Sequence, residues 1–416
     1  MKIDFEKASF KDFENIPGVD PYGWASLWAD YVNDRTSVGQ FNYRQENLSG
    51  CGPEMKLDIK GNPKDFVSLV SNDYLGFTQH PKVKAAAIAG IEKFGSGTGA
   101  SPAIGGHYSF HQDLEDKIAG FFKRDSAIVF TTGYNANSSS LQALLKKEDL
   151  AILDMAVHAS VYEGCQLTNV KTFPHNNVEA LENVLKNTEG KYRTRIVVID
   201  GVYSQDGDHA PLDEIIKLTK HYGAYLVIDD AHGTGVIGKT GRGVIELHDL
   251  YQQVDIITGT FSKTFAHVGG YLVASPELVN FLKFQSRQHV FSATLSPASA
   301  CIVKAIDLVD EEPIWMEMLW KNINYLKTGL LSLGLNLGPT NSAIIPVKIG
   351  DINLNAQICN MLLEAGIYTN QINYPAVSKK DARIRMSVMA THTLEQLDKV
   401  LNAWEWVITK KGLNIS

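Results

Sequence analysis

From about Val67 onward, short runs rich in Val and Ile alternate with longer amphipathic stretches. The apolar runs are AIVFTT, LAILD, RIVVIDG, AYLVIDD, VDIITGT and GGYLVAS, and most end in Asp, Gly, Ser or Thr. Each has about the length of one strand. Patterns of helical period, such as LDEIIKLTKHYG, lie between several of them. Alternating units of this kind, with strands apolar on both faces, predict a mostly parallel sheet covered by helices on either side. Ligands of such sheets bind at the carboxyl ends of the strands. The polar residues that end the runs are therefore the ones to examine.

After about residue 300 the pattern loosens into helices, then SAIIPVKIG and ARIRMSVMA as further strands. That predicts a smaller α+β C-terminal domain. The first 60 or so residues are aromatic and polar with weak periodicity, and read as an N-terminal arm. The expected division is 1–65, 66–298 and 299–416. A chain of 416 residues is long enough for one large domain and one small one.

Composition narrows the function classes. The chain is 44% hydrophobic and 20% charged, as in ordinary globular proteins, with a formal net charge of -7. Mixed charges and an acidic balance argue against nucleic acid, which asks for a basic face. Cys51, Cys165, Cys301 and Cys359 form no CxxC pair, so neither a disulfide framework nor a zinc site is expected. The N-terminal stretch MKIDFEKASFKDFENIPG has no apolar core and does not read as a signal peptide. No stretch approaches the roughly 18 apolar residues that span a bilayer. A cytoplasmic location follows as the expectation.

Five strand-end features carry chemistry. In GTFSKTF, Lys263 follows a buried strand, where partial desolvation frees an amine to attack an aldehyde. Its neighbours Thr260 and Ser262 offer hydroxyls to a phosphate. Taken alone, the lysine reads as an ordinary loop residue. In AYLVIDDAHGTGVIG, Asp229 ends an apolar strand and needs a partner, which a pyridinium nitrogen supplies. His232 lies three residues on; the same spacing suits a metal pair, but no second His/Cys cluster stands near. In FTTGYNANSSSLQALL, Gly133 opens a helix whose free N–H groups attract an anion. His158, in LAILDMAVHAS, is placed to stack on a flat ring, and Ser204, in VVIDGVYSQDGD, to reach a phenolic oxygen. A phosphate anchor, a stacking ring, a carboxylate and an imine-forming lysine are together what pyridoxal 5'-phosphate (PLP) requires.

These residues resemble the α-oxoamine synthases, a branch of the fold-type I PLP-dependent transferases. The resemblance runs from SNDYLGF (71–77) to IRMSVMATHT (384–393) and rests on TTGYNAN, DMAVHAS, DGVYSQDGD, DDAHGTGVIG, GTFSKTF and FSATLSPA. It implies that Lys263 binds PLP as a Schiff base and later moves the substrate α-proton. It implies that Asp229 pairs with the pyridine nitrogen, with His232 and Ser204 near the phenolic oxygen and His158 over the ring. Gly133, Tyr134 and Thr260 would hold the phosphate, and Thr294 would reach it from the second subunit of a homodimer. Arg385 matches the arginine that takes the amino acid carboxylate, as a guanidinium fork suits. Asn72 and Tyr74 match positions near the mouth of the site. No metal is implied.

The resemblance further implies a decarboxylative condensation of an L-amino acid with an acyl thioester carried on CoA or acyl carrier protein. YPAVSKKDARIRMSVMATHTLEQLD is similar to bacterial serine palmitoyltransferases, which implies a long acyl chain, serine or an anionic relative such as cysteate, a sphingoid-type or sulfonolipid base, and a loose membrane association. DDAHGTGVIG reads more like 8-amino-7-oxononanoate synthase, which joins L-alanine to a pimeloyl thioester; Gly233 stands where the palmitoyltransferases favour Ser. The first of these is the expectation taken forward, with the second as alternative and glycine C-acetyltransferase or autoinducer synthase behind them. An aminotransferase would share the cofactor site without the thioester, and a non-catalytic binding protein would have lost Lys263 or Asp229. One position departs from the family: many relatives carry Arg in a GSR motif where GASPAIGGH places Pro102.

Overall fold

A computed structural model describes residues 3–411. Residues up to Ser71, Gln205–Gly207 and the chain from Leu319 onward form one compact unit; Asn72–Ser204 and Asp208–Met318 form the other. Stretches before residue 72 and after residue 318, far apart in the sequence, thus share a unit, while 299–318 belongs to the other. The reason is a strand pairing. β1 (Glu46–Asn47), β2 (Glu54–Asp58) and β3 (Pro63–Ser68) form an antiparallel series whose edge is extended by a strand from the C-terminal part of the chain.

The larger unit holds a seven-stranded sheet. Its strands are β4 (Ser126–Phe130), β5 (Leu150–Asp154), β6 (Asn169–Phe173), β7 (Arg195–Asp200), β8 (Tyr225–Asp229), β9 (Ile256–Thr260) and β10 (Gly270–Ala274). The order is β4-β10-β9-β8-β7-β5-β6. Pairings among β5 to β9 are parallel, while β10 runs antiparallel to both β4 and β9. Helices Gly133–Leu144, Val178–Asn187 and Leu212–His221 make crossovers between parallel strands or into them. Ile128, Leu153, Val198, Val227 and Leu272 form the core under the sheet, each at most 2% exposed. Burial of each such side chain contributes about 1.5–3 kcal/mol.

The parallel register sets the chemistry. Asp200 pairs with Asp229, and Asp229 with Thr258, so β7, β8 and β9 finish side by side. This is the fold-type I arrangement expected: a mostly parallel sheet covered by helices, with a smaller sheet-bearing unit. Six of the seven strands coincide with the apolar runs. β6 does not, because it is the edge strand and four of its five residues are exposed, leaving it no apolar signature.

In the smaller unit, β11 (Ile344–Gly350) pairs antiparallel with a later strand, while β12 (Ile367–Tyr368) pairs parallel with β3. β13 (Asn370–Ile372) and β11 flank β14 (Ala382–Ser387) in a three-stranded sheet. The N-terminal arm is ordered by helix Pro21–Ser37, where Asp20 accepts the Gly23 N–H as cap, and by a cluster of Phe5, Phe10, Phe13, Trp28, Tyr31 and Phe41. No helix among the described residues is long and apolar enough to cross a membrane.

Candidate active site

The carboxyl ends of β7, β8 and β9, with the first turn of helix Gly133–Leu144, enclose a cavity of about 260 Å³ in the larger unit. Ten of the residues singled out in the sequence line it: Asn72, Gly133, Tyr134, His158, Ser204, Asp229, His232, Thr260, Ser262 and Lys263. Tyr74 stands behind the wall, its Oη 2.7 Å from His232 Nδ1. Thr294 and Arg385 are not part of this lining. Thr294 is half-buried in the segment after helix Arg287–Val290. The neighbouring Leu295 carbonyl accepts from His111 Nε2 at 3.0 Å, since His111 Nδ1 already accepts the Tyr108 N–H. Arg385 is buried at the middle of β14 in the other unit, opposite Pro346 and Asn370.

Asp229 occupies the last position of β8 because the apolar run YLVI buries it there, 6% exposed. Its Oδ1 accepts the Ala231 N–H at 3.0 Å and its Oδ2 accepts from Asn137 Nδ2 at 2.6 Å. Asn137 extends the arrangement: its Oδ1 accepts from Thr258 Oγ1 (2.6 Å) and its Nδ2 also reaches Ser160 Oγ (2.9 Å). Ser160 Oγ in turn lies 2.8 Å from His158 Nδ1. One buried polar chain therefore links the residue beneath the cavity to the imidazole above it.

Burial pushes the His158 imidazole below its ordinary value; the negative charge of Asp229 opposes that and the positive charge of Lys263 adds to it. The ring lines the cavity, with Tyr134 edge-on at 6.0 Å. Asp200 is held well above the usual carboxylate range, first by burial and then by the charge of Asp229. Asp230 is raised to about 7 for the same reasons, although Val244 N–H donates to its Oδ2 at 2.7 Å. Asp200 also lines the cavity, where the His158 N–H donates to it at 3.4 Å, while Asp229 takes the two donors named above.

The phosphate end is built by close approach. Thr132 caps helix Gly133–Leu144 by accepting the Asn135 N–H, and helical geometry leaves the N–H groups of Gly133 and Tyr134 without an intrahelical acceptor. Gly133 packs so tightly on β9 that a Cβ there would lie 2.7 Å from the Thr260 Cβ. An anion at this corner meets two N–H groups, the positive end of the helix dipole and the hydroxyls of Thr260 and Ser262. An amine, a buried carboxylate, an imidazole and an anion cradle within one cavity are a donor set that fits PLP. Bound there, PLP supplies an aldehyde for the Lys263 amine and an aromatic ring able to accept an electron pair.

Asn137, Asp200 and Thr132 line the cavity without having been singled out in the sequence. Asp200 carried a visible signal, since it too ends an apolar run, RIVVID. Asn137 carried none, being one polar residue in NANSSS.

Comparison with known proteins agrees with this geometry. The family model "Aminotransferase class I and II" matches residues 64–403. The 8-amino-7-oxononanoate synthase of Thermoanaerobacter pseudethanolicus is 40% identical over 382 residues, covering 89% of this chain and 96% of that protein. The enzyme of the same name from Bacillus pumilus is 38% identical over 379 residues, covering 90% and 96%. Among solved structures, the serine palmitoyltransferase of Sphingomonas wittichii is 34% identical, covers 93% of this chain and 97% of its own, and superposes with a TM-score of 0.88. That of S. paucimobilis, solved with PLP and myriocin bound, is 33% identical over 93% and 98%, also at 0.88. The chain belongs to the class I and II aminotransferase family and, within it, to the α-oxoamine synthases, PLP-dependent enzymes that transfer acyl groups.

Proposed function

We propose that this enzyme condenses L-alanine with a pimeloyl thioester, the reaction that the resemblance to 8-amino-7-oxononanoate synthases implies. The observation that carries the reading is end-to-end kinship: the relatives of that name are 37–40% identical over 83–93% of the chain. The packing around Gly233 supports it. A Cβ at Gly233 would lie 2.1 Å from Asp230 Oδ1, so the Ser favoured by palmitoyltransferases does not fit unless Asp230 moves.

In this reading Arg385 binds the amino acid carboxylate, Asn72 shapes the mouth, and Tyr74 holds His232 from behind the wall. Lys263 takes the proton from the substrate α-carbon, and Asp229 keeps the proton on the ring nitrogen. His158 holds the thioester oxygen through a hydrogen bond as charge develops on it, with His232 and Ser204 on the phenolic side. Two copies of the chain share each site, Thr294 reaching the phosphate of its neighbour, and the enzyme works in the cytoplasm.

A second reading has its own support. Pro102 leaves no cation where many relatives carry Arg, and so none at that position for the distal carboxylate of a pimeloyl chain. With the palmitoyltransferase superposition, this favours a long uncharged acyl group passed to serine or cysteate. The deciding experiment presents Gly, Ala, Ser and cysteate, each with pimeloyl-CoA and palmitoyl-CoA, and follows thiol release. Release with alanine and pimeloyl-CoA is expected. Turnover confined to serine or cysteate with palmitoyl-CoA would move the enzyme to the second reading. Amino exchange with a keto acid and no thiol release would make it an aminotransferase.

A further inference from the structure

His175 follows β6 and does not line the cavity, yet it joins two segments that do. Its Nδ1 lies 3.3 Å from Asp154 Oδ1 and its Nε2 lies 3.0 Å from Asp208 Oδ2. Each ring nitrogen faces a carboxylate oxygen, so both carry protons and the ring is a cation with two fixed bonds. Burial opposes the charge, but the two carboxylates outweigh it and raise the imidazole to about 10.

The partners are anchored on either side. Asp154 is the last residue of β5 and is fully buried. It also accepts the N–H groups of Ala156 (2.8 Å) and Asn176 (2.8 Å), and Ala156 begins the segment that ends in His158. Asp208 closes the turn after β7: its backbone carbonyl accepts the Tyr203 N–H at 3.0 Å, so Ser204 lies inside the closed loop. Asn176 Nδ2 donates to the same Asp208 Oδ2 at 3.0 Å, and the Tyr203 ring meets His175 edge-on at 4.3 Å. One imidazole thus ties the end of β5, the end of β6 and the turn after β7.

We propose that His175 is a positioning residue: by bridging Asp154 to Asp208 it fixes the segment carrying His158 against the turn carrying Ser204. The inference rests on the assignment of His158 and Ser204 to the cofactor. A half-buried ion pair adds little stability by itself, because desolvation cancels much of the attraction. It does define one relative placement of the groups it joins, and a shift of about 1 Å at a reacting centre costs on the order of a hundredfold in rate.

The test compares wild type, His175→Gln, Asp208→Asn and the double variant. Four quantities are read: PLP affinity of the apo-protein, visible circular dichroism of the bound cofactor, kcat and KM for each substrate, and the thermal midpoint. Asp208→Asn keeps the shape and breaks the bridge from the far end, so it serves even if His175→Gln folds poorly. Each single variant is expected to change the cofactor dichroism and lower kcat roughly ten- to hundredfold while KM for the acyl donor holds. The double variant is expected to be no worse than the worse single one, as residues of one network behave. A lowered midpoint with unchanged dichroism and kcat, or losses that multiply in the double variant, would overturn the proposal. Failure of the wild type itself to bind PLP would instead remove the assignment on which it rests.

Discussion

Asn137 Nδ2 donates to Asp229 Oδ2 across 2.6 Å, and Asn137 Oδ1 accepts from Thr258, so the carboxylate lining the cavity is aimed by an amide that is itself held. Hydrogen bonds to a charged group contribute about 1.5–3 kcal/mol. Asn137→Ala is therefore expected to weaken PLP binding to the apo-protein by roughly ten- to a hundredfold, measured by fluorescence titration. Asn137→Asp should be worse, since it sets a second negative charge against Asp229. Equal affinity in all three proteins would show that Asp229 needs no such support.

Lys263 is the one lysine in the cavity lining. Borohydride reduction of the holoenzyme, followed by peptide mapping, should place the pyridoxyl label on Lys263. In Lys263→Ala the label and turnover should both vanish while the fold persists by circular dichroism. A label on another lysine of the wild type would displace Lys263 from its role.

The parts of the site that could be read in the sequence were those where one residue interrupts a strong pattern. Asp229 ends YLVID, Lys263 follows IITGT, and His158 comes soon after LAILD; each is a polar group where burial demands a reason. Asn137 sits in a helix interior among similar polar residues, and only the fold shows that its amide faces Asp229. β10 posed another kind of problem. GGYLVAS is buried on both faces like its parallel neighbours, so composition carries no trace of its antiparallel direction. The N-terminal segment looked irregular because its aromatic residues meet edge-on across a loop rather than along one helix face.

If Gly133 holds the phosphate as proposed, a substitution there separates phosphate recognition from ring recognition. A methyl group there would meet Thr260 Cβ at 2.7 Å, Thr260 Oγ1 at 3.0 Å and the Gly259 carbonyl at 3.3 Å. Overpacking of this kind costs about 1–3 kcal/mol. Gly133→Ala is expected to lower stability by that order and to displace the N–H groups that meet the phosphate. Affinity for PLP should then fall at least about tenfold, while affinity for pyridoxal, which lacks the phosphate, should change little. Equal losses for both would locate the phosphate elsewhere.

The charge on His175 gives a pH signature with a definite sign. Its folded value, about 10, lies above the ordinary 6.5, so the folded protein holds a proton that the unfolded chain releases between those values. The contribution is fully present below pH 6.5 and declines as pH rises, reaching zero above about 10. The groups facing the ring are Asp154, Asp208 and Tyr203, whose phenol burial pushes well above its usual range, so it does not titrate in the same window. Urea unfolding of wild type and His175→Gln at successive pH values should show a stability gap that is widest near pH 6.5 and closes toward pH 10. A gap that stays constant across that interval would mean that the ring is neutral in the folded protein, and the bridge between Asp154 and Asp208 would lose its cation.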